Sequence, residues 1–526
     1  MLTSFSIRED YWENFTLNNE DVQYLYEHLL EIETPQTPQE LVAVLVEDRL
    51  RREREAMERK QSEGGDVYLP KESYKEGDKL VFPALAGQSG SVTTVRPANS
   101  LLEETFEVIE VAFENGESRQ FATGLQEHTL NNPPEISDDD PLLSPQAVIS
   151  TWSKVLEERL TEDLSNNDDF VYIAGRWFPI ALVVDINEGH LNLAEAVLDM
   201  HGGGPLPTSE IVNNVDLPEG DSPKLAEFSM DMALQEDKRF DEVGSAGQVL
   251  WFLHRLEPEA VQRTPITLRY SAADYDRSVL TDEMLGFEQR IDDELSEVQE
   301  EPDGEENVQV HLIYPHWRTG TLPLTKRIQR MFPTAYESPR IRFMLVDGQT
   351  GEQFPGWVVR LERYVYGLRD WYLKKGVFPG SFVTAKPGEN PGEVIVDVDS
   401  HRSSKEWVRT ALVGADGGVV YGTLKQQVET SFDERMAVYM PSELEGLDAA
   451  WEKKVNNPPP FEQVVVNTLK ELAKLNPQSH VHARELYSAL NVVIRTPPGP
   501  MLALLASRPW FTHVGDLHFR YDDEQS

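Results

Sequence analysis

The chain has 526 residues, of which 40% are hydrophobic, and this length predicts several domains rather than one core. It contains no cysteine, which excludes disulfides, thiolate metal sites and cysteine nucleophiles. Asp and Glu outnumber Lys and Arg by 91 to 48. The resulting net charge of −43 repels phosphate backbones, so any contact with nucleic acid requires a local basic patch.

The first fifteen residues lack a basic segment followed by an apolar one, and no stretch approaches the roughly 18 apolar residues of a membrane span. We therefore expect a soluble, cytoplasmic protein without a membrane partner. The strong acidity has two explanations at this stage. It either provides solubility alone, or it reflects a partner with a basic surface.

Residues 1–65 are predicted to be helical, because apolar residues recur at helical spacing up to Leu50. Residues 66–130 change to short alternating runs separated by Gly, Pro and Asn-Gly turns. This pattern is typical of a small SH3-like β-barrel, and Asn115-Gly116 is its strongest hairpin signal.

Residues 141–272 are expected to form a helical, winged-helix-like domain that begins with an amphipathic helix over 144–165. Residues 273–307 contain 14 acidic side chains against Arg277 and Arg290, which predicts a solvated or disordered acidic linker with one helix in its first half. Residues 308–452 are rich in β-type runs, and residues 461–526 return to helices followed by two strands.

Two segments of the chain echo each other. Phe240 and Phe511 each stand three residues before a Val-Gly pair, after three short helices and before an aromatic strand. Three helices and a two-stranded hairpin are the minimal winged helix, in which the aromatic packs into the core and the glycine turns the chain into the wing. A common strand-turn pattern would explain the short motif but not the shared helices. We therefore predict a repeated winged-helix module.

No catalytic motif is recognisable in the sequence. The twelve histidines are scattered, and the patterns of serine hydrolases, P-loops and zinc peptidases do not occur. Glu393, Asp397, Asp399 and Lys405 form a nuclease-like string, but a half-buried strand end explains their alternation equally well. We therefore predict no catalytic residue, no metal site and no cofactor.

The stretch 317–342 is conspicuously basic for so acidic a chain. It contains a single acidic residue, Glu337. Its cations are Arg318, Lys326, Arg327, Arg330, Arg340 and Arg342. They form a candidate nucleic-acid-binding surface that would neutralise phosphates. The alternative is internal pairing with the acidic segment just before it. The C-terminal winged helix is a poorer candidate for reading DNA, because its third helix, GPMLALLAS, lacks basic side chains and fits protein docking instead.

Three segments resemble known families. The run YKEGDKLVFPALAGQSGSV, residues 74–92, resembles the start of the RNA-polymerase-interacting domain of CarD-type transcription factors, with Asp78, Val81, Phe82, Pro83 and Ala84 at the matching positions. Residues 321–386 resemble the plant-type DNA-binding pseudobarrel, whose basic opening meets DNA, although Ser381 replaces an aspartate usual in that family. Residues 461–522, and less clearly 191–254, resemble HARE-type winged helices such as that of the RNA polymerase delta subunit.

Together these features predict a multi-domain α+β protein with winged-helix-like modules, a small SH3-like barrel and a β-rich pseudobarrel. The expected function is non-enzymatic binding to duplex DNA or the transcription machinery, including RNA polymerase, with protein partners at the winged helices. Phe82, Pro83 and Trp317 are the expected partner-binding residues. Two alternatives stay open, a purely protein-binding acidic scaffold and the recognition subunit of a restriction or defence system.

Overall fold

The multi-domain α+β class is confirmed by the computed structural model, which contains fourteen α-helices and six sheets among the residues it describes. The chain divides into two compact units, Met1–Asp185 with Gly220–Phe228 and Ile186–Glu219 with Ser229–Ser526. The described residues are 10–63, 66–82, 85, 88–98, 106–113, 116–131, 141–215, 217, 222–299, 304–390, 392–414, 418–440 and 444–522.

Helices and a small sheet make up the first unit. Asn18 begins its first helix with a capping box shared with Asp21, and the buried Asp21 also binds Arg49 and Arg52 of the second helix. The helix predicted over 144–165 is present. The elements outside the sheet are α1 (Asn19–Ile32), α2 (Pro38–Glu63), α3 (Pro145–Ser165) and a hairpin of two strands at Phe170–Ile173 and Arg176–Pro179.

The predicted small barrel is a five-stranded sheet whose strands pair in chain order. Its core is aromatic, because Tyr68, Phe82, Phe113 and Phe121 contact one another with ring centroids 4.3–6.1 Å apart. Gly116 has φ +82°, as a tight hairpin requires, while Asn115 lies outside the described residues. The strands are β1 (Asp66–Val67), β2 (Lys79–Phe82), β3 (Gln88–Pro97), β4 (Glu107–Phe113) and β5 (Ser118–Thr123), and the hairpin after α3 supplies β6 and β7.

The first winged-helix module lies mainly in the second unit, while its helix Pro223–Glu236 begins in the segment Gly220–Phe228 of the first unit. Its three-stranded sheet has the order β8-β10-β9, so that the last strand lies in the middle. Phe240 and Trp251 are buried in its core, as the predicted module requires. The elements are α4 (Glu188–Met200), β8 (Leu206–Pro207), α5 (Thr208–Val212), α6 (Pro223–Glu236), β9 (Phe240–Glu242), β10 (Leu250–Leu253) and α7 (Glu259–Gln262).

The acidic segment, residues 273–307, follows α7 and is folded in its described part. The prediction of a solvated linker is therefore wrong for that part. Thr281 caps the helix α8 (Asp282–Ile291), whose Met284 and Phe287 are buried. Asp293 and Glu294 are also buried, because the guanidinium of Arg495 donates to both carboxylates at 2.7 Å. Charge composition alone does not reveal that a distant cation neutralises these carboxylates. Here that cation is Arg495, about 200 residues further along the chain.

The β-rich region is a curled, seven-stranded half-barrel with the order β11-β16-β17-β13-β14-β15-β12. Its strand β13 buries every second residue, including Ile341, Phe343 and Leu345, as the alternating sequence predicts. The elements are β11 (Val308–His311), α9 (Tyr314–Thr319), β12 (Thr321–Pro323), β13 (Arg340–Asp347), β14 (Gln353–Val359), β15 (Tyr364–Tyr366), α10 (Arg369–Lys375), β16 (Phe382–Pro387) and β17 (Glu393–Asp397).

A long two-stranded hairpin, β18 (Ser400–Val413) and β19 (Val419–Thr430), leads through α11 (Glu445–Asn456) to the second winged helix. This module repeats the strand order of the first one, β20-β22-β21. Phe511 is buried and Gly515 has φ +100°, as the repeated motif predicts. Its elements are α12 (Phe461–Ala473), β20 (Val481–His482), α13 (Ala483–Val493), α14 (Pro498–Ser507), β21 (Phe511–Gly515) and β22 (His518–Tyr521).

Candidate functional site

The six cations predicted as one basic face point to different parts of the second unit. Arg318 in α9 donates to both carboxylate oxygens of Asp448 in α11, at 2.9 and 2.6 Å. A bidentate pair of this kind fixes both side chains. Arg318 therefore holds α11 against α9 and is not arranged to meet a phosphate.

Arg340 and Arg342 leave β13 toward the first winged helix. Arg340 Nη1 donates to Asp241 at 2.5 Å, and its Nε donates to the carbonyl of Val261 at 3.1 Å. Arg342 Nη1 donates to the carbonyl of Gly204 at 2.8 Å, and its guanidinium stacks over the ring of Phe252. Burial lowers the pKa of Arg342 from its ordinary value. Both arginines join the half-barrel to the winged helix.

Arg327 and Arg330 pair with the acidic segment that precedes the half-barrel, as the second explanation of the basic stretch predicted. Arg327 Nη2 donates to the carboxylate of Glu305 at 3.1 Å, and its Nη1 lies 3.8 Å from Asp292. Arg330 Nη2 donates to the backbone carbonyl of Glu305, also at 3.1 Å. Both guanidinium groups are therefore turned toward the acidic segment.

Two of the three predicted partner-binding residues, Phe82 and Trp317, are buried in the core rather than placed on the surface. Trp317 is 7% exposed, donates from Nε1 to the carbonyl of Val377 at 2.7 Å and carries Arg369 over its ring. Phe82 is 2% exposed within the aromatic core of the small sheet. An aromatic beside polar residues in sequence gives no sign of which face it occupies. Pro83 lies outside the described residues.

Lys326, another of the predicted cations, lines a cavity. It is exposed beside Arg360 and Arg363, which belong to the turn between β14 and β15. The cavity measures about 580 Å³, and we call it the cationic pocket. Its walls are Leu295, Ser296, Glu297, Gln299, Leu324, Lys326, Gln329, Arg360 and Arg363.

Backbone hydrogen bonds fix the walls of the cationic pocket. Arg363 adopts φ +56° in the turn, and its carbonyl accepts from the amide of Leu324 at 2.8 Å. The buried amide side chain of Gln299 accepts from the backbone N–H of Lys326 at 3.0 Å and donates to the carbonyl of Glu294. The acidic segment, the loop after β12 and the β14–β15 turn are therefore held in register around one opening.

The polar groups of the cationic pocket suit an anion. Arg360 Nη1 donates to the carbonyl of Ser338 at 2.8 Å, and Arg363 Nη1 donates to that of Glu294 at 2.9 Å. A guanidinium has five N–H groups, so both retain donors for a ligand. The Oγ atom of Ser296 is buried and has no hydrogen-bond partner within the described part of the chain. The acidic wall residue, Glu297, lies 3.4 Å from Arg277 and is partly neutralised there.

Sequence reasoning missed Arg360 and Arg363. They stand in the run Arg-Leu-Glu-Arg, where Glu362 halves the apparent charge, and they lie more than thirty residues after Lys326. The signal that could have found them is the turn itself, because exposed loops at the end of a sheet carry binding residues more often than its strands.

A second exposed feature is the hairpin of β18 and β19. Trp407 is 65% exposed, and the Nζ atom of Lys425 on the opposite strand lies 5.4 Å from the centre of its ring. The tryptophan lines a cavity of about 540 Å³ together with Arg409, Arg435 and His480. We call this the hairpin groove.

The nuclease-like string is held by local contacts. Glu393 accepts from the side-chain amide of Gln353 at 2.9 Å, and Asp397 accepts from that of Gln349 at 3.1 Å. Among the described residues, the one group of three side chains with metal-ligand spacing lies elsewhere and contains neither carboxylate. The string is therefore explained as the half-buried end of the strand β17.

No family model, no curated protein and no solved structure matches this chain. The resemblances to CarD-type, pseudobarrel and HARE-type domains therefore stay predictions. No helix in the described ranges has both the length and the apolar content needed to cross a membrane.

Proposed function

We propose that this protein binds duplex DNA without catalysis, and that the three cations of the cationic pocket in the half-barrel contact backbone phosphates. The observation that carries the proposal is the convergence of Lys326, Arg360 and Arg363 on one opening, with the buried hydroxyl of Ser296 in its wall. The resemblance of residues 321–386 to a DNA-binding pseudobarrel supports the same assignment. The phosphate contacts proposed here differ from the basic face predicted from the sequence. Lys326 belongs to both sets.

The winged helices are poor alternatives for DNA in this chain. A winged helix reads DNA by laying an exposed helix in the major groove. In the second module that helix is α14, and its Met501, Leu502 and Leu505 are buried. Gly499 of α14 packs against the hydroxyl of Tyr275, next to α8. A groove of DNA would have to displace this packing, so phosphate recognition is assigned to the half-barrel.

The net charge sets the strength that we expect. With three cations in the pocket and a charge of −43 on the whole chain, affinity depends on local phosphate neutralisation and falls steeply with salt. Three phosphate contacts predict a slope of roughly −2.7 for the logarithm of the binding constant against that of the salt concentration.

The test is a fluorescence-anisotropy titration of the full chain with a labelled duplex at about 50 and 200 mM salt. We expect the double variant Arg360→Gln/Arg363→Gln to bind about tenfold more weakly at the lower salt and to lose about two from the slope. The double variant Arg402→Gln/Lys405→Gln on the exposed hairpin is the matched control, because it removes two charges outside the pocket. Equal affinity and equal slope for the double arginine variant and the wild type would refute the proposal.

A protein-binding role is the second candidate, and the hairpin groove favours it. An exposed tryptophan beside arginines is the composition of a protein-binding hot spot. In the same titration, Trp407→Ala is expected to leave the DNA affinity unchanged. A loss as large as that of the double arginine variant would instead place the DNA on the hairpin.

A further inference from the structure

Three side chains of metal-ligand type converge where the first winged helix ends. His254 and Glu257 are three residues apart on a 3-10 turn, a spacing that puts both side chains on one face. Asp241 comes from the neighbouring strand β9. One ligand atom from each residue lies within 4.8 Å of the others, and His254 Nδ1 is 3.2 Å from Glu257 Oε2.

The fold builds this geometry from the backbone outward. The amide of His254 donates to the carbonyl of Arg239 at 2.9 Å, which fixes the turn against the start of β9. The side chain of Gln262 donates to the carbonyls of His254 and Glu257 at 2.8 and 2.9 Å. The turn is therefore held at both ends, with its two ligand side chains on the side of Asp241.

Glu257 supplies an independent sign that something is bound there. Its side chain is fully buried, yet neither carboxylate oxygen has a hydrogen-bond partner among the described residues. A buried carboxylate without hydrogen bonds is strongly unfavourable unless a cation neutralises it. Burial of this kind is otherwise selected against, so the missing partner points to a ligand.

The nearby guanidinium of Arg340 does not fill this role. Its Nη1 donates to Asp241 but stays 3.7 Å from Glu257 Oε2, beyond hydrogen-bond distance. Arg340 therefore pairs with Asp241 and leaves Glu257 as the carboxyl group that a cation would bind.

We propose that Asp241, His254 and Glu257 bind a divalent transition-metal ion, with Zn²⁺ or Mn²⁺ as the fitting cations. One imidazole nitrogen and two carboxylates are a mixed ligand set that these ions accept, whereas Ca²⁺ prefers oxygen ligands alone. Ligand atoms about 3 Å apart, as His254 and Glu257 provide, match metal–ligand bonds of roughly 2.1 Å. The His254 side chain is 38% exposed, which leaves room for water to complete the coordination.

This site is independent of the proposed DNA function, since it shares no residue with the cationic pocket. Because Arg340 of β13 contacts Asp241, a bound ion would strengthen the junction between the first winged helix and the half-barrel. Metal binding is therefore expected to raise the thermal stability of the second unit.

The test uses the full chain after chelator treatment, titrated calorimetrically with ZnCl₂ and MnCl₂. We expect one equivalent to bind and the unfolding temperature to rise by several degrees. His254→Ala and Glu257→Gln should each weaken binding at least tenfold, and His401→Ala on the exposed hairpin should bind as the wild type does.

Glu257→Gln separates a metal ligand from a merely structural residue. It keeps the size and polarity of the buried side chain, so the metal-free variant should unfold at about the same temperature as the wild type. It should nevertheless lose the stabilisation by metal. The proposal is overturned if neither metal binds to the wild type, or if both ligand variants bind as tightly as the wild type.

Discussion

His482 is a buried imidazole between the strand β20 and the helix α13. Its Nδ1 accepts from the amide of Arg484 at 2.9 Å and caps the helix, and its ring lies 4.9 Å from that of His518. Burial, together with the positive charge of Arg435 and the proximity of His518, lowers the pKa of His482 to about 4. The neutral form is therefore part of the folded structure.

The pKa of His482 makes the stability of the second winged helix depend on pH. The unfolded chain takes up a proton near pH 6.5 and the folded chain only near pH 4, so stability is fully present above pH 6.5 and is lost as the pH falls. Between pH 7 and pH 5 we expect the wild type to lose about 2 kcal/mol more than His482→Asn, which keeps a capping side chain. Urea unfolding at both pH values measures the difference. Equal losses in the two proteins would contradict it.

Arg495 connects the acidic segment to other elements of the fold. Its guanidinium is fully buried and donates to Asp293 and Glu294, and Glu294 also lies 3.1 Å from His316 of α9. Burial alone would raise the pKa of Glu294, but Arg495 and His316 outweigh it and hold the pKa well below its usual range. One charge network therefore joins three elements, the acidic segment, the half-barrel and the second winged helix.

Removing one partner from this network leaves a buried charge uncompensated. We expect Arg495→Met to lower the free energy of unfolding by about 3–5 kcal/mol, and Asp293→Asn added to it to cost much less than it does alone. Arg508→Met is the matched control, because its pair with Glu462 is exposed and should change stability by less than about 1 kcal/mol. Denaturant unfolding of the four variants checks this. Strictly additive losses for Arg495 and Asp293 would contradict the coupling.

The elements themselves were largely predictable from the sequence. Alternating burial in β13 and the aromatic before each Val-Gly pair are local patterns, and both identified the correct element. The acidic segment was misjudged because its neutralising partner, Arg495, comes from the far end of the chain. The cationic pocket was missed for the same reason, since Lys326 meets Arg360 and Arg363 only after β12 pairs with β15.

On the scale of the whole molecule, the second unit shares one large core. Buried side chains from Leu280 in the acidic segment, Ile341 in the half-barrel and Leu486 in the second winged helix belong to one continuous cluster.

The first winged helix has a core of its own around Leu198 and Trp251. A smaller cluster joins Val243 and Phe252 of the first winged helix to Trp357 of the half-barrel. The described part of this unit thus combines one composite core with the core of the first winged helix, linked by a smaller cluster.

This division predicts the order in which the second unit opens. Because α12 and β13 share a core and the Arg495 network joins their modules, we expect their amides to lose hydrogen-exchange protection at the same denaturant concentration. We expect the amides of helix α4, which packs in the core of the first winged helix, to lose protection at a lower denaturant concentration. Native-state hydrogen exchange, measured by mass spectrometry on peptides from the three elements, tests this. In Arg495→Met we expect α12 and β13 to lose protection at different denaturant concentrations. Loss of protection in wild-type α12 well before β13 would mean that the second winged helix is an independent module, and that the shared core contributes little to holding it.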